Sequence, residues 1–344
     1  MTQCPVPWHE HEVVCLGHGS GGRLAWELLE QLFKPALEST HLDVPADAAV
    51  LAPIDGRIAV TTDAFVVDPI FFPGGDIGDL AVNGTVNDLV VCGAEPLHLT
   101  AAFVLEEGLP LRDLQAIVSS MARACRRAGV RLVAGDTKVV PRGKGDKVFI
   151  TTTGIGRVPA RIDLAPDRPA PGHVVIVSGT LGDHGIAILD ARGELGLRCG
   201  VVSDTAPLGA IARCVLEHGP RTVFMRDPTR GGLASTLNEV AVAANVGIAI
   251  DEIAIPVREA VRGACEVLGL DPLYIANEGK LVAFVHAEES TAVLEALRQQ
   301  PLGRDAAIIG RVVADHPGIV VAATSVGGTR VVDLLDGEQL PRIC

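Results

Sequence analysis

The stretch Asp76-Ile77-Gly78-Asp79-Leu80-Ala81-Val82-Asn83-Gly84-Thr85-Val86-Asn87-Asp88-Leu89-Val90-Val91 decides how this chain is read. Asp79, Asn83 and Asn87 recur every fourth residue, so a helix gathers them on one face, while Val82, Val86 and Leu89 fall on another suited to burial. On its N-terminal side lies a Pro/Gly loop from Pro69 to Gly75, and before that two expected strands within Ala48–Val67, joined by a turn at Asp55-Gly56. On its C-terminal side Leu97–Leu105 reads as a strand, and Leu114, Ile117, Val118, Met121, Cys125 and Ala128 mark an amphipathic helix. Strands are expected at Arg131–Ala134 and Val148–Thr153.

Four prolines between Pro159 and Pro171 interrupt this pattern, after which a second alternating set begins at Val174–Val177. Helices and strands alternate in both halves, so the fold class is α/β or α+β in two domains. The expected organisation is a leader over 1–13, an ATP-binding and dimerisation domain over 14–158, a linker over 159–171, an α/β domain over 172–328 and a flexible tail over 329–344. Leu24–Phe33 reads as a helix ended by Pro35.

Composition removes several function classes. The 344 residues are 48% hydrophobic and only 3% aromatic, which suits helices packed on sheet and not binding by base stacking. A net charge of −13 repels nucleic acid and anionic lipid. No apolar run reaches transmembrane length and no signal peptide is recognisable, so no membrane partner and a cytoplasmic location are expected. Eight cysteines in so long a chain do not form a disulfide scaffold. Cys92, Cys125, Cys199, Cys214 and Cys265 lie in or beside apolar segments and read as small core residues.

Polar turns carry the chemistry. Gly17-His18-Gly19-Ser20-Gly21-Gly22 offers backbone N–H groups that could cradle anionic oxygens, although an exposed turn explains it as well. Asp63 and Asp136 close two expected strands, and Asp88 lies on the helix quoted above. Carboxylates at strand ends converge readily, and magnesium takes oxygen ligands together with phosphate. Asp63, Asp88 and Asp136 are therefore a candidate magnesium set, although each alone reads as a cap or turn former. In Asp227-Pro228-Thr229-Arg230-Gly231-Gly232, Thr229 is placed to cap a helix. Glu278, in Asn277-Glu278-Gly279-Lys280, could act as a general base. Cys4, His9, His11, Cys15 and His18 offer soft and borderline ligands for zinc or nickel, but in no compact zinc spacing. Cys344 is the last residue, and its thiol reads equally as chance or as a reactive group.

These motifs, with Phe72–Gly78, Gly135-Asp136-Thr137-Lys138 and the ending Pro341-Arg342-Ile343-Cys344, resemble the HypE family of hydrogenase-maturation proteins from about Val14 to Cys344. Most are shared with the aminoimidazole ribonucleotide synthetase, selenophosphate synthetase and thiamine-monophosphate kinase relatives; the Pro-Arg-Ile-Cys ending is the specific element. The resemblance implies an aminoimidazole ribonucleotide synthetase-like fold. Its N-terminal domain would form a dimeric, β-barrel-like core with a second copy, and its C-terminal α/β sandwich would close over nucleotide. It further implies that the HypF carbamoyltransferase loads Cys344 with a carbamoyl group. ATP would then drive dehydration to a thiocyanate, and the cyanide would pass to the HypC–HypD complex for the iron centre of [NiFe] hydrogenase.

Residue by residue, the resemblance places Gly19, Ser20, Gly21 and Gly22 over the phosphates. Asn87 and Asp227 fall in the nucleotide site, with magnesium on Asp63, Asp88 and Asp136. Glu278 becomes the base for the nitrogen proton, Lys138 and His18 share proton transfer or charge neutralisation, and Cys344 is the residue acted on. Matching to the family, and not spacing, selects these from the other polar turns. The rivals are another ATP-using enzyme that makes a phosphorylated small molecule, and a non-catalytic scaffold with a tail cysteine.

Overall fold

The computed structural model describes residues 11–43, 46–193, 196, 198–335, 337, 340 and 342–344. Cys4, His9 and Pro341 lie outside the described residues. The first α-helix among the described residues is α1 (Arg23–Leu28), which passes through a π-helical turn (Leu29–Phe33) into α2 (Lys34–Leu37). Pro35 therefore does not end the helix. It sits in the first turn of α2, where a missing amide costs little, and the wider π turn before it changes the hydrogen-bond register.

The first half continues as β1 (Arg57–Phe65), β2 (Phe71–Phe72), β3 (Gly75–Asp76), α3 (Ile77–Val91), β4 (Glu95–Glu106), α4 (Leu111–Ala128), β5 (Arg131–Val140) and β6 (Val148–Val158). Only one strand forms where two were expected around Asp55-Gly56. Pro53 removes a donor from the would-be partner, and β1 stays at the edge. Asp63 and Gly135–Lys138 lie inside β1 and β5 and do not close them.

The four strands run in the order β1-β6-β4-β5, with β4 and β5 parallel and joined through α4. The expected β-barrel-like core is not found: β1 and β5 end the sheet without meeting, and no sheet among the described residues closes on itself. Helices α3 and α4 cover one face. The other face is bare, with Ile58 and Val60 57% and 65% exposed.

The second half contains β7 (Val174–Val177), α5 (Asp183–Arg192), α6 (Gly209–His218), β8 (Phe224–Arg226), α7 (Gly232–Ala244), β9 (Gly247–Asp251), α8 (Glu259–Leu268), β10 (Val282–Val285), α9 (Ala287–Arg298), β11 (Ala307–Val313), β12 (Val320–Ala323) and β13 (Thr329–Val332). Its seven-stranded sheet has the order β13-β12-β9-β11-β7-β10-β8. The stretch expected to be a tail from Thr329 thus starts as an edge strand, paired antiparallel to β12 from Val320↔Val332 to Ala323↔Thr329. Helix α7 packs on one face of this sheet and α9 on the other, with α6 beside α9 and also touching α3. One apolar core consequently runs from Leu80 and Ile117 through Ile211 and Val215 to Ala283 and Val293, and Ile343 belongs to it. No helix among the described residues is long and apolar enough to cross a membrane.

Candidate functional site

Helix α3 is buried nearly all round, so its polar side chains must find partners inside the protein. Asn87 donates to the carbonyls of Ala206 (3.0 Å) and Glu278 (3.2 Å) and accepts the Leu208 amide at 2.8 Å. It thereby ties the second half to the first and fixes the backbone at Glu278. Beside Asn87 on the same helix, Thr85 donates to Asp63 Oδ2 at 2.9 Å, while Thr61 on β1 donates to Asp88 Oδ2 at 2.6 Å. The Asp227–Gly232 loop between β8 and α7 and the Asn277–Lys280 turn before β10 complete the site. Asn277 joins them by donating to the Pro228 carbonyl at 2.9 Å.

Asp63, Asp88, Asp227, Arg230, Glu278 and Cys344 line one small cavity of about 40 Å³. Two glycines make it possible. A Cβ on Gly279 would stand 1.8 Å from the Asp204 carbonyl oxygen, and one on Gly84 would stand 3.0 Å from the Phe65 ring. Gly231, at φ +74°, caps α7 in the left-handed region, so Thr229 is not the cap and lines the cavity instead.

The electrostatics follow from burying four carboxylates together. Burial raises the Glu278 carboxyl well above its ordinary value, and Asp227, Asp204, Asp63 and Asp88 add repulsion. Asp227 is pushed up to about 7, by burial and then by Asp88. Burial also raises Asp63 and Asp88, with Arg230 opposing it in both. Such a cluster relieves its repulsion by holding protons or a cation.

The structure does not bring all the expected residues here. Asp136 and Lys138 form an exposed pair on β5, with Nζ 2.6 Å from Oδ2, and this pairing holds the Asp136 carboxyl below its usual range. Asp136 aligns with Ala102, Thr151 and Ala64 across the sheet, all exposed. It stands three strand spacings, about 14 Å, from β1. The set Asp63, Asp88 and Asp136 is therefore not assembled within one chain, and no three-ligand metal group occurs among the described residues.

Gly17 and Gly19, expected in an irregular loop, lie in a 3₁₀ turn over Leu16–Gly19, where Ser20 donates its hydroxyl to the Gly17 carbonyl at 3.0 Å. His18 is buried; its Nδ1 accepts the Cys15 amide at 2.9 Å and lies 3.2 Å from Cys15 Sγ. Burial lowers its pKa, and His11 lowers it further. With Gly19, Gly21, Asp136 and Lys138, His18 lines a second cavity of about 240 Å³ whose other walls include Leu28, Phe33 and Phe103. Gly22 is the N-cap of α1 and does not line it.

The end of the chain enters the first cavity. Val66 donates its amide to the Cys344 carbonyl at 3.0 Å and Asp68 to the Arg342 carbonyl at 3.3 Å, so the last residues lie antiparallel against the segment that follows β1. Ile343 is buried, and its carbonyl accepts a hydrogen bond from His184 Nε2 at 2.9 Å. Residues 342–344, expected in a flexible arm, are docked. His184, Arg192, Asp146 and Asp204 received no role from the sequence. Their partners lie too far along the chain for spacing to reveal them.

A two-domain chain with buried carboxylates between its halves defines the class. The N-terminal domain of AIR synthase related proteins matches residues 45–158 and the C-terminal domain residues 170–322. Carbamoyl dehydratase HypE of Azotobacter vinelandii is 54% identical over 327 residues, covering 95% of this chain and 96% of that one. The crystal structure of a hydrogenase maturation protein HypE in complex with ATP superposes with a TM-score of 0.91 at 48% identity, covering 96% of this chain and 99% of that one. The HypE chain of a HypE–HypF complex gives 0.79 at 45% identity, covering 90% and 99%. The chain belongs to the HypE family of carbamoyl dehydratases.

Proposed function

We propose that this chain dehydrates a carbamoyl group carried on its own Cys344 to a thiocyanate at the expense of ATP, supplying cyanide ligands for [NiFe] hydrogenase. The observation that carries this reading is the seat of Cys344 in the cavity of Asp63, Asp88, Asp227 and Glu278. Family membership at this identity sets aside both a small-molecule kinase and a scaffold.

The amide oxygen of a carbamoyl thioester is a poor leaving group. Its attack on the γ-phosphorus of ATP forms an O–P bond, releases ADP and sheds one of the two nitrogen protons to solvent, giving an O-phosphorylated imidate. A base then takes the nitrogen proton, the C–O bond breaks, phosphate leaves and S–C≡N remains. Glu278 is the base: its buried, electron-rich carboxylate has a raised proton affinity suited to the task. Asp63 and Asp88 are the carboxylates that would hold magnesium, with Asp227 lining the same cavity. The donor set fits, since magnesium is bound through one or two carboxylates with substrate phosphates completing its shell. Bound there, the ion would neutralise phosphate charge. Thr61 and Thr85 orient the two carboxylates, and Arg230 offsets part of their charge. The second cavity, with glycine amides and Lys138 at its mouth and apolar walls behind, suits a nucleotide, so Gly19 and Gly21 are the phosphate cover, Ser20 and Gly22 flank them outside its lining, and Asn87 is a support of the site.

Lys138 lies across the sheet from Glu278, so a part in this reaction requires a second copy, and the bare sheet face of Ile58 and Val60 is where a homodimer forms. HypF is the partner that loads Cys344, in line with the relative solved as a HypE–HypF complex, and the HypC–HypD complex is the acceptor. The location is cytoplasmic.

The test is intact-mass spectrometry with HypF, carbamoyl phosphate and ATP. The parent chain gains a carbamoyl group and then loses one water only with ATP. Cys344→Ala does neither, and a Cys344→Ala chain that showed the same adduct and loss would sink the reading.

A further inference from the structure

The contacts of residues 342–344 divide into an inner and an outer set. Inside, Ile343 is packed in the core, and its carbonyl can only accept, so His184 carries its proton on Nε2 and takes the Ser203 hydroxyl on Nδ1 at 2.7 Å. Arg192 staples the two paired segments together, with Nε donating to the Asp68 carbonyl and Nη2 to the Arg342 carbonyl, each at 2.8 Å. Outside, the Arg342 guanidinium pairs with Asp146 and donates from Nε to the Val66 carbonyl at 3.1 Å. Both partners of that ion pair are more than a third exposed. The Arg342 backbone stands at φ +53°, a region a non-glycine residue seldom occupies without being held there.

We propose that Asp146, Arg192 and His184 are positioning residues that latch the chain terminus in the cavity, and that the latch opens from outside by separation of Arg342 from Asp146. This rests on the reading that Cys344 is the residue modified, since such a residue must leave its seat to be loaded and return to be dehydrated. An exposed ion pair contributes little and is screened by salt, which suits a clip that is released repeatedly. The buried inner contacts are costlier to lose and determine where the thiol comes to rest on return.

The experiment follows alkylation of Cys344 by iodoacetamide in the full-length chain, quantified on its C-terminal peptide and normalised to the denatured protein. Asp146→Ala and Arg342→Ala are each expected to raise the rate about two- to five-fold, the range of a partly exposed pair. The double variant reacts no faster than Arg342→Ala, and the reversed pair Asp146→Arg with Arg342→Asp returns towards the parent rate. Raising salt to about 1 M speeds the parent but not Asp146→Ala. His184→Gln, which keeps a donor, protects Cys344 better than His184→Leu at matched melting temperature. Equal rates in all variants, or no recovery on charge reversal, overturn the latch. Neither ATP nor a carbamoyl donor is present, so that result leaves the dehydration reading standing. A sound latch without ATP-dependent water loss would instead remove the reading of function.

Discussion

Lys280 and Asp204 form an ion pair inside the protein, Nζ 3.0 Å from Oδ2, with side chains only 9% and 4% exposed. The same carboxylate accepts the amides of Glu278 at 3.1 Å and Gly279 at 3.2 Å. Burial works against its charge, but Lys280, His184 and the amide donors outweigh it and keep the carboxyl below its ordinary range. The Glu278 backbone is thus hung on an anion that is itself held by a cation, and the Glu278 side chain lines the cavity.

Removing one partner of a buried pair strands the other. Asp204→Ala is therefore expected to lower the unfolding free energy by about 3–5 kcal/mol in a urea titration. A loss below about 1 kcal/mol, the value of a surface pair, would show that the Lys280 charge finds water instead.

Glu278→Gln keeps the size and neutralises the charge, so the fold and Cys344 loading persist. In single turnover of the carbamoylated chain with ATP, loss of water should slow by about 10²–10⁴-fold, the usual worth of a positioned base. An unchanged rate would move the role of base to another group.

Asp227 titrates at about 7 when folded and near 3.9 when unfolded, so between those values the folded state binds the extra proton. Its contribution to stability is full below about pH 4 and is lost as pH rises through about 7, at up to about 1.4 kcal/mol per pH unit. Without divalent metal, the melting temperature of the parent should fall across this window more steeply than that of Asp227→Asn. Magnesium should stabilise the parent more at about pH 8 than at about pH 5.5, because its binding expels protons. Parallel pH curves for parent and variant would separate Asp227 from the cluster.

Much of this was legible in the sequence, for identifiable reasons. Helix α3 announced itself because a four-residue polar repeat crossed an apolar run, and Asp63, Asp88 and Glu278 sit in motifs short enough to recognise. That the sheet stays open was not legible: edge pairing is a property of registers across 100 residues, and among the described strands β1 pairs only with β6. Asp136 looked like a partner of Asp63 because both were expected to close strands, where carboxylates converge, but the two strands are at opposite edges. The seat of residues 342–344 depends on Val66, Asp68, His184 and Arg192, none of which is near them in the chain.

That separation of Asp136 and Lys138 from Glu278 leads to a complementation experiment. Cys344 occupies the cavity containing its own chain's Glu278, whereas Lys138 stands at the far edge of the sheet. If a dimer supplies Lys138 from the second copy, a mixed pair of Lys138→Ala and Glu278→Gln chains contains one site with both defects and one with neither. The intact site joins Glu278 and Cys344 of the Lys138→Ala chain to Lys138 of the other. Random re-association of equal amounts makes half the dimers mixed, so about a quarter of all sites should work although each variant alone is inactive. The two chains differ in mass, and the water loss should appear on the Lys138→Ala chain only. Activity confined to neither chain would mean that Lys138 serves its own cavity through a rearrangement of β5, or serves none. Ile58→Lys with Val60→Lys, placed on the bare face, should abolish the recovery by keeping the chains apart, because two buried ammonium groups cost far more than that apolar contact returns.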